Sequence, residues 1–144
     1  MTEHTLNSIL LIDDDPDILE FNELLIDQVN ISKKIFQAKN GSEALELFNN
    51  FLNNNLKDVP DLIVLDINMP KMNGLEFLRL FDKVSKTSEL YHVKILISSS
   101  IEDEEIRKEC QSYRNVIGTT YKPLSKKILT EMLNENFNNL LSNN

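Results

Sequence analysis

The chain has no tryptophan, a single cysteine, two histidines and only three glycines among its 144 residues. One cysteine, Cys110, permits no internal disulfide, which suits a reducing compartment. His4 and His92 show no partner spacing, so nothing points to a zinc site. Positive charge is also scarce. Fifteen Lys and Arg stand against 23 Asp and Glu, a formal net charge of −8. The pI is about 4.7. Gripping a nucleic-acid backbone takes a basic face, so no nucleic acid is expected as a partner. Long apolar runs are missing too, so no membrane span is expected. Met1 to Ser8 lacks the basic stretch and apolar core of a signal peptide. These absences place the expectation in the cytoplasm.

What remains is an ordinary globular composition, 41% hydrophobic and 26% charged. A chain of this length buries roughly 70% of its unfolded surface, enough for one core. The expected organisation is a single domain over residues 1–144, its core about 8–141, with no output domain after it. The asparagine-rich tail from Asn134 to Asn144 is expected to fray.

Five short apolar runs alternate with five helical patterns. Ser8 to Ile12 reads as a strand, and Pro16 to Val29 as a helix with proline in its first turn. Ser32 to Ala38 is a weaker strand. Asn40-Gly41 reads as a turn, with Ser42 capping a helix through Phe51 or Leu52. Asn53 to Pro60 is a polar loop, and Asp61 to Leu65 a strand. Pro70 to Gly74 is a turn before a helix from Leu75 to about Ser85. Val93 to Ile97 is a strand, and Glu102 to Tyr113 a helix with Ile106, Cys110 and Tyr113 on one face. Val116 to Thr120 and a helix from Leu124 to about Leu141 complete the series. Strands apolar at every position indicate a parallel sheet covered on both faces.

Ligands of such sheets sit beyond the carboxyl ends of the strands, where strand order reverses. The first strand ends in Asp13-Asp14-Asp15 and the third in Asp66. In a flavodoxin-like order 2-1-3-4-5 these strands are neighbours, and their acids converge. Converging carboxylates repel unless a cation neutralises them, and few carboxylates with open positions suit magnesium. Asp15 beside Pro16 also reads as the cap of the first helix. The fourth strand ends in Ser98-Ser99-Ser100, a source of a hydroxyl donor, while Ser100 is a candidate cap for the next helix. Lys122-Pro123 follows the fifth strand. Alone that lysine reads as a solvated surface residue; with the acids it becomes a point charge for phosphate.

The run from Ile9 to Pro16 resembles the opening of a bacterial response-regulator receiver domain, chemotaxis-regulator-like in its stand-alone form. So do Pro60 to Pro70 with Met72-Asn73-Gly74, Ala38 to Leu45, and Lys122-Pro123. The resemblance covers about Ser8 to Leu141. It implies a five-stranded parallel α/β sheet of order 2-1-3-4-5 with helices on both faces. It also implies a switch in two-component signal transduction that is no classical enzyme, though able to promote its own phosphorylation and dephosphorylation. Asp66 would be the phosphoacceptor and form an aspartyl phosphate. Asp13, Asp14 and Asp66, with the backbone carbonyl of Asn68, would hold Mg2+. Ser98 and Lys122 would take the phosphoryl oxygens, and the Lys122-Pro123 bond would be cis. The implied donor is a histidine kinase or phosphotransfer protein. The implied output runs through the fourth helix, fifth strand and fifth helix to an unidentified partner or relay, from a monomer or a phosphorylation-linked dimer.

Two positions depart from the family pattern. Where many members carry a rotating aromatic, three residues before the lysine, this chain has Thr119. Tyr121 points the same way along the strand; it takes over that role, or backbone movement alone does, or Tyr121 is a fixed packing residue. Ser99 stands where a smaller residue is common. The competing readings are a degenerate receiver that binds partners without phosphorylation, a haloacid-dehalogenase-like hydrolase, and a DNA-binding regulator. A hydrolase of that kind needs a second acid where Asn68 stands, and an amide does no acid/base work.

Overall fold

The computed structural model describes residues 5–69, 73–86, 89–99 and 101–137. The expected turn at 70–72, the capping role of Ser100 and the tail beyond 137 fall outside these residues. Five strands, β1 (Leu6–Ile12), β2 (Ser32–Ala38), β3 (Leu62–Leu65), β4 (Lys94–Ser98) and β5 (Val116–Thr120), alternate with five helices. The helices are α1 (Pro16–Val29), α2 (Gly41–Asn54), α3 (Gly74–Val84), α4 (Glu104–Ser112) and α5 (Lys126–Asn136). All strand pairs are parallel, in the order β2-β1-β3-β4-β5. That is the expected doubly covered sheet.

Strand alternation sorts the apolar residues into two layers. Leu10, Ile12, Ile63, Leu65, Ile95 and Ile97 pack with the α2, α3 and α4 side chains. Ile9, Leu11, Leu62, Val64 and Leu96 pack with those of α1 and α5. Phe48, Phe51, Phe77 and Phe81 form a ring cluster beneath α2 and α3, with two edge-to-face, one tilted and one stacked contact. β3 is buried at every position and β4 at every position after Lys94, because both layers cover them.

Each helix starts on a polar side chain that accepts an otherwise unpaired N–H. Asp15 accepts from Asp17 at 2.9 Å and starts α1, as expected. For α2 the cap is Asn40, not Ser42: its Oδ1 accepts from Glu43 at 2.9 Å. The helix begins two residues earlier than the sequence pattern suggested, which leaves Ser42 inside the first turn. For α4 the cap is Asp103, whose Oδ1 accepts from Glu105 and Ile106. The extended backbone of Asp103 holds the start of that helix to Glu104, past Glu102. Part of the expected loop at 53–60 is also ordered, as the end of α2 and a 3-10 turn at Leu56–Asp58.

Gly74 opens α3 against the loop after β3. Its N–H donates to Ile67 O at 3.0 Å. A Cβ there would lie 2.4 Å from Asp66 O and 2.6 Å from Ile67 Cα, both backbone atoms. Backbone yields poorly, so Gly74→Ala is expected to cost about 2 kcal/mol in urea unfolding. An unchanged midpoint would show that the loop after β3 moves freely, contrary to this packing.

Candidate functional site

The parallel register aligns the carboxyl ends of β1, β3, β4 and β5. Hydrogen bonding runs past the strands: Asp13 N–H donates to Ala38 O at 3.1 Å, and Asp66 N–H to Ile12 O at 2.9 Å. Leu65 pairs with Ile97 and Ser98 with Thr120. Asp13, Asp66 and Ser98 therefore follow the same alternation as Leu11, Val64 and Leu96. Asp13 and Asp66 are 4% and 2% exposed, whereas Asp14 faces solvent. Asp13, Asp14 and Asp66 each offer one oxygen within 4.8 Å of the others.

Lys122 spans the two buried acids. Its Nζ lies 2.9 Å from Asp13 Oδ2 and 3.1 Å from Asp66 Oδ2. Asp66 Oδ2 has that ion pair and no hydrogen bond. Asp66 Oδ1 instead accepts the Asn68 N–H at 3.1 Å and the Ser99 hydroxyl at 3.0 Å. Asp13 Oδ1 accepts the Asp15 N–H at 2.9 Å, which ties it to the start of α1. The Lys122–Pro123 peptide is cis, as the resemblance implied. One ammonium against three carboxylates leaves the site short of positive charge.

Asp13 and Lys122 are both raised, for different reasons. Burial lifts the Asp13 carboxyl above its usual value, against the hydrogen bond from Lys122 that lowers it. Burial also works against the charge on Lys122, but its contacts with the Asp13 and Asp66 carboxylates together outweigh it and lift the lysine above its usual range.

Ser98 is buried, and its Oγ has no hydrogen-bond partner. The hydroxyl that reaches Asp66 belongs to Ser99, which sequence reasoning treated only as a mild departure. The chain turns out of β4 at that residue, so the strand alternation that assigns Ser98 to the site face says nothing about Ser99. Thr119 is half-buried on β5. Tyr121 is 62% exposed, so it is no packing residue in this state.

The site's elements have a counterpart among known proteins. The sequence profile of the response regulator receiver domain matches residues 9–134. The chain belongs to that family. The receiver is 30% identical over 117 residues to the sensor histidine kinase TmoS of Ectopseudomonas mendocina, spanning 81% of this chain and 11% of that protein. It is 34% identical over 99 residues to the nitrate/nitrite response regulator protein NarL of Escherichia coli K12, spanning 69% of this chain and 41% of that protein. It thus spans well under half of either relative. A two-component response regulator from Cytophaga hutchinsonii superposes with a TM-score of 0.78 at 26% identity, covering 91% of this chain and 96% of that one. One from Legionella pneumophila gives 0.71 at 28% identity, covering 88% and 95%. The receiver is accordingly a phosphoacceptor signalling module of two-component systems with an acidic pocket. Among the described residues, no helix is long and apolar enough to cross a membrane.

The raised Asp13 carboxyl sets a direction for stability with pH. A carboxyl that holds its proton more tightly when folded stabilises the chain below its unfolded value, 3.8. That contribution fades as pH rises through the folded value. In chelator, Asp13→Asn is expected to raise the urea midpoint at pH 7, with the gain shrinking toward pH 4. A loss of stability at pH 7 would show that the lysine bridge outweighs burial.

Proposed function

We propose that this receiver is a phosphorylation-dependent switch that takes a phosphoryl group onto Asp66 from a phosphohistidine of a histidine kinase or phosphotransfer protein. The observation that carries this reading is the placement of Asp66. It is a buried carboxylate beside two other acids, ion-paired to one lysine and hydrogen-bonded by one hydroxyl, that of Ser99. In the reaction an Asp66 oxygen attacks phosphorus as the phosphorus–nitrogen bond breaks, and the electron pair stays on the donor imidazole. Lys122 follows the transferred charge as a point cation. Ser98 Oγ, which has no partner now, gains a charge-assisted hydrogen bond to the phosphoryl group.

The residues present fit a divalent cation. Three carboxylate oxygens lie close together, and the charge shortfall there favours one. Asp13, Asp14 and Asp66, with the Asn68 carbonyl, would hold Mg2+. The ion would neutralise charge on the phosphoryl oxygens.

Movement of Ser98 toward the phosphoryl group would draw Ser99 and Ile101 with it, and through Asp103 the start of α4. The α4-β5-α5 surface then carries the signal to a partner protein or onward relay. Thr119 is too small to fill the space left, so that task falls to Tyr121, now on the surface, or to backbone movement alone. Two states with different contacts are the whole driving force. This reading includes self-promoted phosphorylation and dephosphorylation, a cytoplasmic setting, and a monomer or phosphorylation-linked dimer.

A small phosphodonor with Mg2+ is expected to add one acid-labile phosphate, absent from Asp66→Asn. Phosphate retained by that variant at another aspartate would overturn the assignment. The metal reading is tested by titration. Asp14→Ala is expected to weaken Mg2+ binding at least about tenfold. Asp15→Ala should mainly cost about 1 kcal/mol of stability through the lost helix cap. Equal losses of affinity would contradict this division.

A further inference from the structure

We propose that Ser99 is a positioning residue that shields the attacking oxygen of Asp66 and so slows phosphoryl capture. The inference rests on Asp66 being the phosphoacceptor. The two oxygens of that carboxylate face different surroundings. Oδ2 faces Asp13, because one ammonium reaches both acids, at 3.1 and 2.9 Å. That side gathers cations and repels a second anion. Oδ1 faces the N–H and O–H donors, the side that suits phosphoryl oxygens. Oδ1 is thus the atom that bonds to phosphorus.

That atom is engaged in the present state. A carboxylate oxygen has two lone-pair sites. Oδ1 fills both, with the Asn68 N–H at 3.1 Å and the Ser99 hydroxyl at 3.0 Å. Attack on phosphorus requires one to leave. The Asn68 N–H is fixed by the backbone, whereas the hydroxyl swings away by rotation about one side-chain bond. The Asn68 side-chain amide donates to Ser99 Oγ at 3.4 Å, which turns the hydroxyl proton toward Asp66. Ser99 is itself 4% exposed, so water does not compete freely for this bond. The neighbouring hydroxyls thus divide the work: Ser99 serves the free carboxylate and Ser98 the phosphorylated one.

The balanced step is transfer from a phosphorus–nitrogen donor: the Oδ1–phosphorus bond forms and the donor nitrogen keeps the electron pair. The test uses the full chain with Mg2+ and phosphoramidate, and follows acid-labile phosphate over time. The rate at saturating donor is expected to rise about fivefold or more in Ser99→Ala, with the donor concentration at half-saturation unchanged. Ser99→Cys keeps the volume but donates weakly, and is expected to behave like Ser99→Ala. Mg2+ affinity, read from amide shifts without donor, should stay within about twofold of wild type, because Oδ1 faces away from Asp13. If wild type takes up phosphate and both variants match its rate, Ser99 is no shield, while the Asp66 reading stands. A fast Ser99→Ala with a wild-type-like Ser99→Cys would mean that space is what matters, and would overturn the proposal. So would a rate gain tracked by tighter Mg2+ binding. Wild type that takes up no phosphate would remove the reading on which the inference rests.

Discussion

Like charges forced together at the end of a parallel sheet govern this molecule. Asp13 and Asp66 extend adjacent strands whose register is set by the pairing of Ile12 with Leu65. Neither acid can swing far, because each backbone N–H is already bonded to the next strand. Lys122 stands between them and reduces the repulsion. Everything else at the site adjusts to that bridge. One face of the Asp66 carboxylate turns to the lysine and the other to the donors around Asn68 and Ser99. Burial of acids with too few cations is costly, and a site that is strained for charge is one that responds strongly when a phosphoryl group or a cation enters it.

The core explains how that strain is tolerated. The five strands are clamped by α1 and α5 on one face and by α2, α3 and α4 on the other. Their central residues have almost no exposed surface. The ends of β1 and β3 are therefore fixed points, whereas β5 is only half-buried along its length. The proposed output through the β5 edge fits this contrast, since an edge strand is less enclosed than the centre of the sheet. The Arg79–Glu109 ion pair, which joins α3 to α4, lies on the surface, and such pairs are weak restraints.

Much of the fold was legible because its signals are local. Apolar runs marked the strands, and alternation with helical stripes marked the class. The acids at the ends of β1 and β3 stood out because parallel strands gather their carboxyl ends on one side. Helix boundaries were less legible. Asn40 and Ser42 are both good caps, as are Ser100 and Asp103. Which one serves depends on the backbone angle at which the chain enters the helix, and packing sets that angle.

The sequence by itself determined the layers, the set of reactive residue types and the strand ends that carry them, because period-two and period-3.6 patterns encode burial directly. Tertiary structure alone decided how those groups engage one another. Lys122 bridges two acids more than fifty residues away. Asp66 takes its hydroxyl partner from Ser99, not from the neighbouring Ser98. Tyr121 faces solvent. Each of these depends on rotamers and on loops leaving the sheet, where the strand alternation stops and only the packed neighbours choose the direction of a side chain.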